Sequence, residues 1–301
     1  NLAYHMGQDP GVTALGFAAE TLWYRGYPDQ ALERARHVLS AAHALAHPLS
    51  LVEALNHFAL VHLFRHEGQE AHTQVEALLT LAHEHGFAGF LGSGTSLQGW
   101  ALVESAGRSG SREQREVGLV QLREGLAAWQ ATGAEISVPL LLGVLAQGYA
   151  QGGQAEEGLQ VIAEALAMVE KNEERWNEAE LYRIKGELVL QSGVRGPASE
   201  VTNSLESKVR GSESEAEEYF LKAIGVAQKQ QAKSWELRAV MSLVRLRQQQ
   251  AMQSESRNTR HETRAKLDEA HRMLSEVYTW FTEGFDTEDL QEAKGLIAEL
   301  A

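Results

Sequence analysis

The sequence contains no cysteine, which excludes disulfides, thiolate catalysis and cysteine-ligated zinc. It holds 5 prolines in 301 residues. Long helices are therefore open to it, since proline breaks a helix interior. Basic residues are in deficit: 27 Lys and Arg stand against 41 Asp and Glu, a formal charge of -14. A duplex-binding protein needs a basic face to displace counterions, and the whole-chain field here repels nucleic acid and anionic membranes. Long apolar runs are also missing. The longest uncharged stretches, Gly86–Val103 and Ile136–Ala155, carry Gly, Ser or Gln throughout, so neither reads as a membrane span. No signal peptide opens the chain, and its first residue is Asn1 rather than Met. We expect a piece of a longer polypeptide, and a cytoplasmic one, with which the absence of cysteine is compatible.

What is present is helix-forming. Ala, Leu, Glu and Gln dominate, all good helix formers, and the 44% of hydrophobic residues supply material for a core. A pattern recurs: an apolar helix, a glycine turn, then a second helix opening on a small residue. Leu22-Trp23-Tyr24-Arg25-Gly26 leads into Ala31, Ala35, Val38 and Leu39. Leu63–Gly68 leads into Thr73, Ala77 and Leu78, and Gly148–Gly153 into Gly158, Ile162, Ala165 and Leu166. Ala216, Phe220, Ala223 and Ile224 repeat the second half. The small residues heading these second helices are Ala31, Thr73, Gly118, Gly158 and Ala216, separated by 42, 45, 40 and 58 residues. A tetratricopeptide unit is about 34 residues, so these hairpins have longer helices.

Leu159, Ile162, Ala163, Leu166 and Val169 form one stripe of a 3.6-residue helix. The first helices are apolar on more sides, as between Leu51 and Phe64, which suits an element sandwiched between neighbours. The spacing predicts helices at 11–25 with 29–46, 49–66 with 69–85, and 88–106 with 112–131. It continues with 135–151 and 154–171, 175–191 and 213–231, 233–249 and 260–282, then a capping helix at 287–300. Three polar stretches, Gly107–Arg115, Gly193–Ser214 and Met252–Arg260, interrupt the pattern inside hairpins, and the middle one is expected to be mobile and protease-sensitive. The expected fold is all-α: one domain over 1–301, a right-handed superhelical solenoid of about six tetratricopeptide-like hairpins and a cap.

Three segments carry a resemblance. Glu174–Leu188 reads ERWNEAELYRIKGEL; Glu215–Phe220 (EAEEYF) and Gln231–Arg238 (QAKSWELR) follow the polar insertion; Tyr278–Leu290 reads YTWFTEGFDTEDL. Together they resemble the C-terminal helical-repeat region of large bacterial signalling proteins. Those join a class III nucleotide cyclase or other output domain to an NTPase of the signal-transducing STAND class, and their tail is similar to the sensor domain of the maltose-regulon activator. The resemblance implies a non-catalytic regulatory module, with an NTPase domain upstream in the same polypeptide. It would sense a small molecule or bind a protein or peptide partner. The alternative is a constitutive assembly scaffold without a ligand of its own.

Motifs for chemistry are sparse. There is no G-x-x-x-x-G-K-[ST] phosphate loop, no G-x-S-x-G elbow and no H-E-x-x-H. Gly92-Ser93-Gly94 lacks a third glycine. Ten of the 12 histidines precede residue 86, and His43/His47 and His62/His66 have the i,i+4 spacing of a helical metal chelate. Solvated helix polarity explains them more simply, since neither pair announces a third protein ligand, and we expect neither metal nor cofactor. Glu156-Glu157 and Glu217-Glu218 read as helix starts, where carboxylates favour the macrodipole. We expect no enzyme activity in this chain. Gly86, Gly89, Gly92, Gly94 and Gly99 crowd one helix, each at a cost of about 0.5–1 kcal/mol. That implies close helix packing or, less simply, close approach of a ligand.

Tyr149, Phe220 and Trp235 fall at core spacing. Superposing the repeats assigns an inner face to the first helices: Glu20, Trp23, His62, Arg65, Ser96, Trp100, Gln147, Arg183, Glu187, Arg238, Ser242 and Arg245. Polar groups beside aromatics suit a ligand or partner groove. Arg183, Arg238 and Arg245 read as a cationic ladder for a carboxylate-bearing ligand, or as ties to acidic neighbours such as Glu180 and Glu187.

Overall fold

The structure, a computed structural model, describes residues 7, 9–194, 202–253 and 257–300. The protein is all-helical, 87% helix, with no strand among the described residues. Two compact units make up the chain, Asn1–Gly152 and Gly153–Ala301. The first contains α1 (Pro10–Tyr24), α2 (Pro28–Leu45), α3 (Pro48–Phe64), α4 (Gly68–His85), α5 (Ala88–Ser109), α6 (Arg112–Ala131) and α7 (Val138–Gly152). The second contains α8 (Ala155–Asn172), α9 (Glu178–Val194), α10 (Thr202–Gln230), α11 (Lys233–Gln253), α12 (Arg257–Trp280) and α13 (Glu288–Leu300).

Local chemistry sets the helix ends. Pro10, Pro28 and Pro48 open α1, α2 and α3, where a missing N–H costs nothing. Asp9 Oδ1 accepts from the Gly11 and Val12 amides, and Ser111 Oγ from the Gln114 amide, relieving donors that a helix start leaves bare. Gly86 and Gly110 take left-handed φ values of 70° at the ends of α4 and α5, a conformation glycine adopts without strain.

Packing follows a repeated buried pattern on the second helices. Ala31, Ala35, Val38 and Ala42 on α2 are buried at steps of 4, 3 and 4, and so are Ala71, Val75, Leu78 and Ala82 on α4. Ala216, Phe220, Ala223 and Ala227 on α10 repeat it, as do Ala270, Leu274, Val277 and Phe281 at the end of α12. Five second helices pack on their own first helix: α2 on α1, α4 on α3, α6 on α5, α10 on α9 and α12 on α11. First helices also pack on one another, α1 on α3, α3 on α5 and α5 on α7 in one unit, and α9 on α11 in the other. This explains their all-round apolarity: 13 residues of α3 are buried, Phe64 among them, each large side chain worth about 1.5–3 kcal/mol. Tyr149, Phe220 and Trp235 are core residues, as their spacing suggests.

The glycines of α5 are resolved by α6. This is the most extensive helix pair among the described residues, and it meets backbone to backbone. A Cβ on Gly92 would lie 2.6 Å from Trp129 N, one on Gly99 2.6 Å from Gly118 O, and one on Gly125 2.4 Å from Ser96 N. Gly94 instead clears Leu78 and Leu79 of α4.

Five expectations need correction. Thr73 is exposed and Ala71 occupies the buried position heading α4, because α4 starts at Gly68 and the apolar stripe runs through Val75 rather than Ala77. The stretch Gly107–Arg115 shrinks to a two-residue break, since α5 continues to Ser109 and α6 begins at Arg112. Of the insertion Gly193–Ser214, residues 195–201 lie outside the described residues; 202–214 are helical, the first turns of a 29-residue α10. Extending an anchored helix needs no new nucleus. Glu217 and Glu218 are therefore mid-helix, whereas Glu156 and Glu157 do occupy the first turn of α8. In Met252–Arg260, residues 254–256 lie outside the described residues, and α12 begins at Arg257.

Candidate functional site

In the first unit, Glu20, Trp23, His62, Arg65, Ser96 and Trp100 of the proposed inner face are buried. Trp23 stacks on Phe64, ring centroids 4.9 Å apart, and Phe64 meets Trp100 edge-on at 5.7 Å. α1, α3 and α5 are thus joined by an aromatic row. Beside it runs a polar row. Glu20 Oε1 lies 2.6 Å from His57 Nδ1, and Glu53 Oε1 4.0 Å from His57 Nε2. The imidazole sits in a notch that Gly16 leaves in α1: a Cβ there would be 2.2 Å from His57 Cδ2.

Burial depresses the His57 pKa, but the Glu20 charge and hydrogen bond, helped by Glu53, outweigh it and raise it above 6.5. Burial also pushes the Glu53 carboxyl up, against the Thr13 hydrogen bond and the His57 charge, which pull it down.

Arg65, just past α3, donates from Nε to Glu67 at 2.7 Å and from Nη1 to Asp29 at 3.1 Å. His62 Nδ1 is 2.7 Å from Glu67. Burial raises Glu67, yet the hydrogen bonds from His62 and Arg65 leave it below its ordinary value. Ser96 Oγ donates to Gly92 O within its own helix and lies in the α5–α6 seam, and Gln147 is half-buried on α7. The Trp100 indole N–H is buried with no acceptor among the described residues.

In the second unit the three arginines are paired. Arg183, on α9, donates from Nε and Nη2 to Glu180 at 2.7 and 2.6 Å and from Nη1 to Glu187 at 2.5 Å. Glu187 also accepts from Ser242 Oγ at 3.0 Å, tying α9 to α11. Arg238 Nη2 lies 2.8 Å from Asp289, and Arg245 pairs with Glu292. Burial opposes the charge on Arg183 and Arg238, but Glu180 and Glu187 for the first, and Asp289 and Glu180 for the second, hold both guanidinium groups protonated.

The histidine pairs do not form chelates. α2 ends at Leu45 and Ala46 turns left-handed, so His47 lies outside the helix and accepts from the Ser50 amide at the start of α3. α3 ends at Phe64, and His66, with φ 61°, points Nδ1 at Glu104, 2.8 Å away. Neither pair shares a helix face. Among the described residues no group of three or more His, Asp or Glu is gathered so as to hold a metal ion. Nor is any helix there long and apolar enough to cross a membrane.

Sequence reasoning missed His57 and the acids Asp29, Glu67, Glu104, Asp289 and Glu292. One signal was available: ties in the first unit recur at separations of 36, 37 and 38 residues, Asp29–Arg65, Glu20–His57 and His66–Glu104, close to one hairpin length. No protein-family model matches the chain, and no curated protein does.

Proposed function

We propose that the chain is a non-catalytic protein-interaction module. On this reading it is a right-handed superhelical solenoid of about six tetratricopeptide-like hairpins with a C-terminal cap. It works in the cytoplasm as the regulatory part of a bacterial signalling protein, attached to an upstream NTPase domain. One observation carries the reading: charged inner-face groups are already paired, His57 with Glu20, Arg65 with Asp29, Arg183 with Glu180 and Arg238 with Asp289. Committed ion pairs of this kind build a rigid frame, and a frame acts through the surface it presents. The net charge of -14 disfavours nucleic acid as the partner.

The test uses Arg183→Ala in the full-length signalling polypeptide, with melting temperature and nucleotide turnover measured on the same preparation. The interaction-module reading expects a lower melting temperature and unchanged regulation of the folded fraction. An unchanged melting temperature with lost regulation would overturn it.

Ligand sensing is the second reading, and one observation favours it. The Trp100 N–H is a buried donor without an acceptor among the described residues, and a ligand oxygen would satisfy it. Under that reading Trp100→Phe keeps the fold and abolishes any ligand-induced rise in melting temperature.

A further inference from the structure

The last helix, α13, stands alone where another hairpin would begin. Two kinds of contact hold it. Leu290, Ala293 and Leu296, one stripe at steps of three, are buried in the core of α11 and α12. Beside that stripe, Asp289 and Glu292 reach Arg238 and Arg245 on α11. Arg238 is nearly fully buried, and its Nε is 2.9 and 3.0 Å from the two Asp289 oxygens. So α11 presents two guanidinium groups beside an apolar strip, and α13 answers with two carboxylates beside an apolar stripe.

The attachment is slight. The contacts of α13 with α11 and α12 are less extensive than those of α9 with α10, α10 with α11 or α11 with α12. α13 follows α12 through Phe281–Thr287, with Gly284 at φ 73°. A short amphipathic helix held by one stripe and two charge pairs is drawn from the low-stability end of a domain. Its manner of seating is the helix-in-groove mode by which proteins bind partner helices.

We propose that the α11 face carrying Arg238 and Arg245 is a docking groove for an acidic amphipathic helix, that α13 is its occupant in cis, and that a partner helix with the same acidic and apolar pattern displaces it. The inference rests on the reading of the chain as an interaction module and names its partner class. Guanidinium groups select carboxylates by bidentate geometry, and the buried Leu290 and Leu296 sites demand apolar residues at helical spacing. The overall charge of -14 repels any acidic segment at long range, so one lacking that stripe has only the two charge pairs to offset the repulsion.

The probe is a fluorescein-labelled peptide of residues 288–300, titrated by fluorescence anisotropy against the full chain. A second titration uses the full chain carrying Asp289→Asn and Glu292→Gln, which loosens the resident helix but leaves both arginines. The expected result is binding at least tenfold tighter to the substituted chain. A peptide bearing the same two substitutions should lose at least tenfold in affinity. Hydrogen exchange on the unsubstituted chain should show α13 amides opening at least tenfold faster than those of α11. Absence of peptide binding to the substituted chain overturns the proposal, and so do α13 amides that exchange as slowly as α11. Either failure leaves the wider reading standing, since that is decided by the stability and turnover of Arg183→Ala.

Discussion

Gly125→Ala puts the α5–α6 seam to a quantitative test. In an open helix the change is favourable, because alanine exceeds glycine by about 1 kcal/mol in helix propensity. At Gly125 the new Cβ would lie 2.4 Å from Ser96 N, 2.5 Å from Ser96 Oγ and 2.7 Å from Gly92 O. Carbon contacts are comfortable at about 3.5–4.0 Å, so the two helices must part by about 1 Å. No rotamer change can relieve a clash with backbone. Overpacking typically costs about 1–3 kcal/mol, and a contact with backbone on an extended seam belongs at the upper end. Subtracting the propensity gain leaves a net loss of about 2 kcal/mol. For a unit of this size that lowers the melting temperature by about 4–8 °C. Thermal melts followed by far-UV circular dichroism, with urea unfolding as a second measure, read the effect. Gly295→Ala on α13, where a Cβ meets nothing within 4 Å, is the control and should stabilise α13 by about 0.5–1 kcal/mol. If Gly125→Ala were as stable as the parent, the backbone-to-backbone seam would be refuted.

Other expectations follow from the polar row. His57 has a folded pKa above its ordinary 6.5, so the native state holds a proton that the unfolded chain has released. Its contribution is complete below 6.5 and is lost as pH rises through the folded value. Glu53, also raised, acts in the same direction from 4.5 upward. Tryptophan-monitored melts should therefore show the first unit losing stability with rising pH, and His57→Gln should flatten that slope above 6.5. Glu67, lowered from 4.5, has the opposite sign, so Glu67→Gln should reduce the loss of stability as pH falls below 4.5. Zinc should leave the melting temperature unchanged, because the Nδ1 atoms of His57, His62 and His66 face three different carboxylates; a stoichiometric zinc site by calorimetry would contradict this.

The helices were legible because their signals are local. The second-helix stripe of α8 was legible in part: Ile162 and Val169 are buried and Leu159 and Leu166 half-buried, but Ala163 is exposed and Ala165 takes the buried position instead. The glycine crowding of α5 did mean close packing. Errors arose where two residues decide a function. His62 and His66 have chelate spacing only if α3 continues past Phe64, and a left-handed turn at His66 sends the rings to separate acids. Thr73 and Ala71 are both small, and only the burial of Val75 and Leu78 shows which one heads the stripe. The partners of the arginine ladder were legible only in part. Glu180 and Glu187 lie within a turn of Arg183, whereas Asp289 and Glu292 are 51 and 47 residues from Arg238 and Arg245, across connections of irregular length. The buried state of Glu20 and His57 depends on a notch at Gly16 that one helix cannot reveal alone.

The central claim is that the charged inner-face residues are already committed to structural ion pairs and do not wait for a ligand. Unfolding of Arg183→Ala in urea tests it most directly. Arg183 neutralises two carboxylates, Glu180 and Glu187, and is itself buried. Removing it leaves like charges without their counter-ion, and breaking a buried pair in this way costs about 3–5 kcal/mol. Because Glu187 is half-buried and retains some hydration, the account predicts a loss of about 3 kcal/mol in the second unit. Unchanged stability in Arg183→Ala would contradict it, for the guanidinium would then be dispensable to the frame.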